Sequence, residues 1–511
     1  MKFERLIVGA AIVVVLCLYT NAFFTFFFPS EQPELLRFVL LGAPFAVLFF
    51  LFPRFALVVL AFSVYFLDWF SFYIQVVPRE FTWFIDFVVV ILLVRHLLLS
   101  PRVRTRLVST AERWIWGLLA FVIFSALINQ TPAGVALIGL RVSCKYLLLF
   151  VVLCSLDLEE KFCRGLLYLQ FAIALVQIPI SAIELKFHPP SEIDPWDLMG
   201  GTFGLNATGV LAVFLLGWIA FLIAVMAERR RLSLGPLFLI LLFCIPPILG
   251  EGKAFFLVLV PLTLFMLRRE WLRRPALALG IGLFAFLLII AVDFVLVKTG
   301  YWIAGRNPIT YVTRMGEIVE KDLETPSATV AERGAGRFYK AKSGFQLATS
   351  SPRAFFFGHG PGVATESFFT PYQSLSVQYF KNWGISSGVT SLPWMLVEYG
   401  VVGTFLFLVP LFLLYRRARI LYRSERESHR ILAAGFQGLT FLFVVNLFIT
   451  ATLQSEQLGY FYWVTAAIVV QLSYAVKAGN PSESATKPAQ PNSAFPALAS
   501  NKIEPAISPR S

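Results

Sequence analysis

The sequence predicts an all-α integral membrane protein that carries one large polar insert. Of its 511 residues, 58% are hydrophobic and only 14% are charged, and the mean hydropathy is +0.75. Apolar stretches of roughly 20 residues, the length that crosses a bilayer as a helix, recur along the chain. One mostly polar segment, 299–391, interrupts them. These observations together predict about 14 transmembrane helices, within a range of roughly 12 to 14, and one insert outside the membrane.

The spans are placed by the apolar runs between polar breaks. Eleven fall within residues 1–298 and three within 392–476, on either side of the insert at 299–391. Their expected bounds are 6–28, 35–52, 55–76, 81–99, 113–129, 133–156, 164–186, 207–227, 234–250, 254–268, 276–298, 392–415, 431–451 and 457–476. The tail, 477–511, contains six prolines together with Ser, Ala and Asn, a composition typical of a disordered segment.

Charge in the short loops predicts the orientation of the spans. The net charge of +13 is concentrated at 102–106, 229–231, 268–274 and 416–419. If the N-terminus is cytoplasmic, all four basic loops fall inside, as the positive-inside rule requires. Both termini are then cytoplasmic and the insert is extracytoplasmic. A missed pair of spans leaves the insert on that side, whereas a single missed span would reverse it. Basic loops that follow this rule give no indication of a nucleic-acid partner.

The cysteines and the missing motifs exclude several classes of protein. The five cysteines lie in or beside apolar spans, their number is odd, and the insert has none, which disfavours a disulfide framework and a zinc site. No Gly-Lys-Ser/Thr phosphate loop is present, so nothing indicates ATP as an energy source. The sequence predicts no metal and no cofactor.

Two basic residues lie inside a predicted span. Arg141 and Lys145 are four residues apart in 133–156 and therefore share one helix face, about two turns below the outer surface. A basic residue near the middle of a membrane costs on the order of 3 kcal/mol and normally faces a cavity or an anionic partner. Two interpretations remain open: the pair binds an anionic substrate, or it pairs with acids such as Asp68 or Asp86 for structural reasons.

Two outward-facing turns carry further candidates. Residues 199–209 read Met-Gly-Gly-Thr-Phe-Gly-Leu-Asn-Ala-Thr-Gly and lead into a span. Such a turn offers helix N–H groups to an anion; the alternative is an ordinary turn in which Asn206 is the N-cap. The tight hairpin after 234–250 presents Glu251 and Lys253, which are either functional groups or charges that simply face water.

The insert combines cations with a glycine-rich loop. It contains nine basic and six acidic residues, an excess of three positive charges. Residues 337–350 predict an amphipathic helix, with Arg337 and Lys340 together on a polar side. The side predicted to be apolar comprises Phe338, Ala341, Phe345 and Ala348. A loop at 357–362, Phe-Gly-His-Gly-Pro-Gly, follows and carries His359. Two cations followed by this loop predict binding of a phosphorylated polar ligand, while the aromatic rings of the insert fit either sugar stacking or internal packing.

Several short motifs follow one another in a recognisable order. They are Gly139-Leu-Arg141 with Lys145-Tyr146, Gly201-Thr-Phe-Gly-Leu-Asn206, Gly250-Glu-Gly-Lys253, Gly336-Arg337, Ser351-Pro352, Phe357-Gly-His359-Gly-Pro-Gly362 and Glu398-Tyr-Gly400-Val-Val-Gly403. In this order the chain resembles the O-antigen ligase/polymerase superfamily of bacterial polytopic membrane glycosyltransferases, over about half of its length. The resemblance implies a protein of the bacterial cytoplasmic membrane, with an inverting, metal-independent transferase activity that uses polyprenyl-pyrophosphate-linked glycans.

One departure from the family affects the choice between two activities. Ligase-type members usually carry a His-Asn pair about nine residues before the glutamate that corresponds to Glu398, and here those positions read Val389-Thr390. The sequence therefore favours a polysaccharide polymerase-like member over a ligase that transfers glycan to another acceptor. A lipid-linked oligosaccharide flippase or other transporter, and a non-enzymatic partner in polysaccharide assembly, remain alternatives.

The sequence and the resemblance together assign expected roles to nine residues. The partners are a polyprenyl-pyrophosphate-linked glycan, a growing polysaccharide or other glycan acceptor, membrane lipid and other polysaccharide-assembly proteins. Candidates for the general base are Glu251, His359 and Glu398. Candidates for pyrophosphate and substrate binding are Arg141, Lys145, Asn206, Lys253, Arg337 and Lys340. The cations are expected to converge on one extracytoplasmic cavity and to stabilise the developing negative charge.

Overall fold

The fold comes from a computed structural model that describes most of the chain. The described residues are 34–77, 79–99, 110–156, 158–187, 199–204, 207–230, 233–250, 253–273, single helical residues between 275 and 298, 337–366, 375–383, 385 and 390–479. The predicted first span at 6–28, the insert from 299 to 336 and the tail from 480 onward lie outside them. The described part is all-helical and contains no strand.

The described residues form fifteen helices with defined bounds, α1 to α15 in chain order, and two short 3₁₀ turns at Arg79–Trp83 and Gly201–Phe203. The helices are α1 Glu34–Leu51, α2 Pro53–Phe72, α3 Phe84–Leu99, α4 Thr110–Ile128, α5 Ala133–Ser155, α6 Glu160–Phe187, α7 Thr208–Arg229, α8 Leu234–Leu249, α9 Lys253–Arg273, α10 Arg337–Ala348, α11 Pro352–Phe357, α12 Leu375–Asn382, α13 Ser391–Leu421, α14 Glu427–Ile449 and α15 Glu456–Gly479.

Eight helices in the described part are long and apolar enough to cross a membrane. They are α2, α3 with the turn before it, α4, α5, α6, α7, α13 and α14. Each overlaps a span predicted from the sequence. Three shorter apolar helices, which are α8 and parts of α1 and α9, lie at three further predicted positions. The class of a multi-pass helical membrane protein is thereby confirmed, and the total of fourteen spans stays a prediction.

The core of the bundle surrounds α7, which is apolar on all sides and buried along most of its length. Its Trp218 ring stacks on Phe461 of α15, with ring centroids 5.4 Å apart. On α14, Gly435 lets that helix approach closely, since a Cβ there would lie 2.5 Å from the ring atom Cε1 of Phe221 on α7. Close packing of this kind, rather than a hydrophobic driving force, holds helices together in lipid.

Several helices meet at one end of the bundle, here called the insert end. Ser391, at the start of α13, donates its backbone N–H to the Thr450 carbonyl after α14, 3.2 Å away. The α14–α15 connection is fixed there as well, because Leu453 N–H donates to the Ser391 hydroxyl at 3.0 Å. Helix α10, which belongs to the insert, packs against α13 and α14. The insert end therefore includes the starts of α13 and α15 and the end of α14.

Ion pairs cross-link the opposite end. Arg54 pairs with Glu159 at 3.0 Å, Arg229 with Glu427 at 2.8 Å, and Arg426 with Glu160 at 3.0 Å. These residues lie in or beside the connections between helices that are distant from the insert. These ion pairs thus lie at the end opposite the insert end, and the side of the membrane that each end faces stays a prediction.

Candidate functional site

A group of paired charges lies inside the bundle on the basic face of α5. The Nε and one terminal nitrogen of Arg141 each lie 2.8 Å from Asp86 Oδ2 of α3. The ammonium group of Lys145 lies 2.9 Å from Asp86 Oδ1 and also pairs with Glu456 Oε1 of α15. The Tyr146 hydroxyl donates to Glu456 Oε2. We call Asp86, Arg141, Lys145, Tyr146 and Glu456 the charged cluster.

The charged cluster lies near the insert end of the bundle, where the helices that carry its two acids begin. Lys145 lies about 18 Å along α5 from its first residue, at 1.5 Å per residue. Its partners Asp86 and Glu456, however, occur in the first turns of α3 and α15. The side chains of Arg141, Asp86 and Glu456 remain 24%, 17% and 26% exposed, whereas Lys145 is 5% exposed. The two acids and Arg141 are therefore partly accessible to solvent, whereas Lys145 is buried.

The structure supports part of one interpretation of the basic pair, namely that Arg141 and Lys145 pair with acids. Asp86 does pair with both Arg141 and Lys145, whereas Asp68 of α2 accepts instead from Gln457 Nε2 at 3.0 Å. The Cζ atom of Arg141 lies over the Trp83 ring, 4.3 Å from the ring centroid. An anionic ligand that binds these cations must compete with the carboxylates that hold them, so pyrophosphate binding stays a prediction.

The second feature of the site is the glycine loop, residues 358–362, which is hydrogen-bonded to α13 at a break in that helix. Gly400 has a φ of 70° and interrupts the helical backbone. The carbonyls before the break accept hydrogen bonds from the loop: His359 N–H donates to Val397 O at 2.8 Å and Gly360 N–H to Glu398 O at 3.2 Å. Because Gly358 also has a positive φ of 68°, both sides of this junction favour glycine.

Glu398 fastens the same loop with its side chain. It is 0% exposed, and its carboxylate accepts from Gly362 N–H at 2.9 Å, Ala364 N–H at 3.1 Å and the Thr365 hydroxyl at 2.6 Å. The indole of Trp394 donates to the Thr365 hydroxyl at 3.0 Å. This geometry gives Glu398 a structural role, and its predicted role as a general base stays a prediction.

The glycine loop is inserted between helices rather than lying on the surface. A Cβ on Gly139 of α5 would lie 2.6 Å from the Pro361 carbonyl carbon, so only glycine permits this approach. Ser125 of α4 donates its hydroxyl to the Phe357 carbonyl at 2.7 Å. Gly139 is about 9 Å along α5 from its start. Non-helical backbone at such a depth persists only where protein covers it and satisfies its polar groups.

Helix α10 confirms the predicted helix of the insert but not its predicted faces. Phe345 is 54% exposed, while Lys340 is 8% exposed and belongs to the face that packs on α13. Arg337 is exposed, so the two cations do not share one environment. Of the side predicted to be apolar, Ala348 is buried but Phe345 is not, because small size decided the contact: a Cβ on Gly344 would lie 2.9 Å from Pro393 Cα. Phe338, from the predicted side, does contact Phe448, with centroids 5.2 Å apart.

His359 connects the glycine loop to α10. Its ring is half-buried, and Nε2 lies 3.2 Å from the Leu347 carbonyl, which can only accept, so Nε2 carries a proton. Burial lowers the pKa of His359 below its usual value, since the charged ring loses solvation. At neutral pH the ring is therefore uncharged, and only Nδ1 is free to accept a proton. A catalytic role for His359 stays a prediction.

The Gly-rich turn before α7 uses its amides internally. Gly201 N–H donates to Glu184 Oε2 at 2.7 Å, and Thr202 N–H donates to Gln177 Oε1 at 2.9 Å. Both acceptors belong to α6, so these two amides are not available to an anion. The N-cap position of α7 is held by Ala207, without a side-chain bond, rather than by Asn206. Asn206 itself lies outside the described residues.

The α8–α9 hairpin adjoins this turn. A Cβ on Gly250 would lie 2.6 Å from Thr208 Cγ2 at the start of α7. Lys253 is the first residue of α9, while Glu251 lies outside the described residues. Gly209, one residue further into α7, adjoins Thr450. The turn and the hairpin are thus at the insert end, and the convergence of Arg141, Lys253 and Arg337 on one cavity stays a prediction.

Two residues of the charged cluster, Asp86 and Glu456, were not assigned to a functional site from the sequence. Asp86 was named only as a structural partner, and Glu456 was not singled out at all. The available signal was an acid in the first turn of an apolar helix. Such an acid is also favoured by the helix dipole alone, so the signal is not specific.

Comparison with known proteins adds no further assignment: no family model and no curated protein matches this chain. Within the described ranges, no three His, Cys, Asp or Glu side chains lie close enough together to hold a metal ion.

Proposed function

We propose that this protein is a glycosyltransferase of the bacterial cytoplasmic membrane. It polymerises or transfers glycan from a polyprenyl-pyrophosphate carrier at the extracytoplasmic face during synthesis of a cell-surface polysaccharide. The observation that carries the proposal is the charged cluster, which presents two cations beside partly exposed carboxylates within a membrane-embedded bundle. The sequence motifs that resemble the O-antigen ligase/polymerase superfamily support the same activity.

The chemistry suits the groups available. The leaving group is a diphosphate, which is stable as an anion once cations face it, and Arg141 and Lys145 supply two positive charges for that purpose. A lipid carrier keeps its polyprenyl tail in the bilayer while its diphosphate is near the interface. The carboxylates on these cations act in the resting protein as stand-ins for the diphosphate oxygens and are displaced when the donor binds.

The glycine loop connects this cluster to the insert. It contacts α5 at Gly139, half a turn before Arg141, and it is joined to α10 through His359. A glycan bound by the insert would therefore be connected, through the glycine loop, to α5, the helix that carries the cations. In this proposal the loop is a rigid connection between the sugar-binding insert and the diphosphate site, and Glu398 keeps it in place.

A transport function is the second candidate, and one observation favours it. Gln170, Gln177, Ser181 and Glu184 follow one buried face of α6, and both amide atoms of Gln170 are buried without a partner. A polar stripe through an apolar span is common along substrate paths of transporters. Transfer of glycan to a different acceptor, as in an O-antigen ligase, is the third candidate.

Mass spectrometry of lipid-linked glycans separates these candidates in cells that lack the protein. A polymerase predicts single repeat units that accumulate on the extracytoplasmic face. A ligase predicts finished polymer that is never attached to its acceptor, and a transporter predicts units that remain on the cytoplasmic face. Normal polymer length and yield, with no accumulation of any lipid-linked unit, would contradict the proposal.

A further inference from the structure

Glu456 is the one carboxylate of the charged cluster that is both accessible and joined to two buried donors. Its Oε1 pairs with Lys145 and its Oε2 accepts from the Tyr146 hydroxyl. The Glu456 side chain is 26% exposed, whereas Lys145 is 5% and Tyr146 is 4% exposed. The donors therefore hold the carboxylate from behind and leave its outer edge open.

The first turn of α15 fixes this position. Ser455 begins the helix, since Leu458 N–H donates to its hydroxyl at 3.3 Å and Gly459 N–H to its carbonyl at 3.0 Å. Gly459 makes room for the ring of Tyr146, because a Cβ there would lie 2.9 Å from the ring atom Cε2. Glu456 is thus held between α5 and the positive end of its own helix, which favours a carboxylate.

The other described candidates for a proton acceptor are less suitable. Glu398 is fully buried, and three donors of the loop occupy its oxygens. His359 uses Nε2 to hold Leu347 and belongs to the glycine loop rather than to the cations. Of these three groups, Glu456 alone is in direct contact with a cation that the proposal assigns to the diphosphate.

Charge couples the binding of a donor to the state of this carboxylate. Lys145 and Tyr146 of α5 contact Glu456 directly. The other ionisable groups around it are Asp86 of α3, which shares Lys145, Arg141 of α5, which pairs with Asp86, and Asp68 of α2, which accepts from the neighbouring Gln457. A diphosphate that engages the two cations takes them from Asp86 and Glu456. Binding of the donor thereby frees the Glu456 carboxylate from Lys145 and leaves it beside the bound diphosphate.

We propose that Glu456 is the catalytic base that accepts the proton of the acceptor hydroxyl; this rests on the proposed glycosyltransferase function. The acceptor oxygen forms the new bond to the anomeric carbon while the bond from that carbon to the phosphate oxygen breaks. The bonding electron pair leaves with the polyprenyl diphosphate, whose charge Arg141 and Lys145 neutralise. The hydroxyl proton passes to the Glu456 carboxylate, so that charge and atoms balance.

The test uses the full chain in lipid nanodiscs with a polyprenyl-diphosphate oligosaccharide as the probe. Three readouts are measured: the single-turnover rate of polyprenyl-diphosphate release, donor affinity and thermal stability. Glu456→Gln keeps the size and an acceptor oxygen but takes no proton, and it is expected to lower the rate about 10²- to 10⁴-fold. Donor affinity should stay the same or rise, because a carboxylate that competes with the diphosphate for Lys145 is removed. Glu427→Gln, an acid paired with Arg229 at the opposite end, is the matched control and should leave the rate unchanged.

Two outcomes overturn the inference while the proposed function stands. In the first, Glu456→Gln transfers glycan at the wild-type rate. In the second, its rate, donor affinity and stability fall together, as a structural ion pair predicts. If the wild type binds the donor but never cleaves it, both the proposed function and the inference fall. Should Glu456→Gln fail to fold, Glu456→Ala with added formate decides: restored turnover supports a base, and folded protein without rescue contradicts it.

Discussion

The role of the Glu398 carboxylate in holding the glycine loop can be tested by removing it. Glu398→Ala leaves Gly362 N–H, Ala364 N–H and the Thr365 hydroxyl without their acceptor, at a position that is 0% exposed. Each buried donor left unsatisfied costs about 1–3 kcal/mol. Allowing for the non-additivity of neighbouring groups, the loop loses on the order of 4 kcal/mol relative to its open state.

Hydrogen exchange measures this loss directly. A free-energy change of about 4 kcal/mol corresponds to about 10³-fold faster exchange at the amides of Gly362 and Ala364. Glu398→Gln keeps one acceptor oxygen and is expected to give an intermediate rate. Glu366→Gln, which alters a carboxylate that is 42% exposed, is the control and should leave both amides protected. Unchanged exchange at these amides in Glu398→Ala would refute the assignment.

The same variants separate a structural Glu398 from a catalytic one. If Glu398 holds the loop, glycan transfer falls in parallel with loop protection across Glu398→Gln and Glu398→Ala. If Glu398 is instead the general base, Glu398→Gln abolishes transfer while Gly362 and Ala364 stay protected. The first pattern is expected, because the loop occupies the carboxylate and no part of the side chain is exposed.

Three further predictions concern the loop and the orientation of the bundle. Gly139→Ala places a Cβ 2.6 Å from the Pro361 carbonyl carbon of the glycine loop and should cost about 1–3 kcal/mol of stability. Gly117→Ala, with nothing within 4 Å, should not, and equal melting temperatures would contradict this. Because burial lowers the pKa of His359, its contribution to stability is full above its unfolded pKa and is lost as the pH falls toward the lower folded value. His359→Gln should therefore flatten the dependence of the melting temperature on pH below about 6.5, and an unaltered profile would count against a buried, neutral ring. Lys342→Cys should react with an impermeant maleimide in intact cells while Arg426→Cys should not; the reverse pattern would place the insert in the cytoplasm.

The sequence predicts the helices well because an apolar run of a given length has few alternatives in a membrane. The helix at Arg337–Ala348 was also predicted, from its amphipathic spacing. Its buried face was predicted only at Ala348, because the close approach to α13 depends on the small size of Ser343 and Gly344. Periodicity counts apolar residues and does not register how closely a backbone can approach its neighbour.

The site was predicted only in part for a related reason. Arg141 and Lys145 are conspicuous, since a cation in an apolar span is costly. Glu456, which pairs with Lys145, is more than 300 residues away in the chain, and nothing local marks the contact. The glycine loop was read as a ligand-binding turn, yet Gly358 and Gly362 make contacts with α13 and α5 that leave no space for a side chain. Long-range contacts of this kind become visible only in three dimensions.

Transfer by the purified protein tests the central claim most directly. Reconstituted wild type should convert a polyprenyl-diphosphate oligosaccharide and an acceptor glycan into an elongated glycan and free polyprenyl diphosphate, both detected by mass spectrometry. A variant that lacks both Arg141 and Lys145 should form neither product. Movement of the intact lipid-linked oligosaccharide across the membrane, with its anomeric phosphate bond uncleaved, would contradict the account and indicate a transporter.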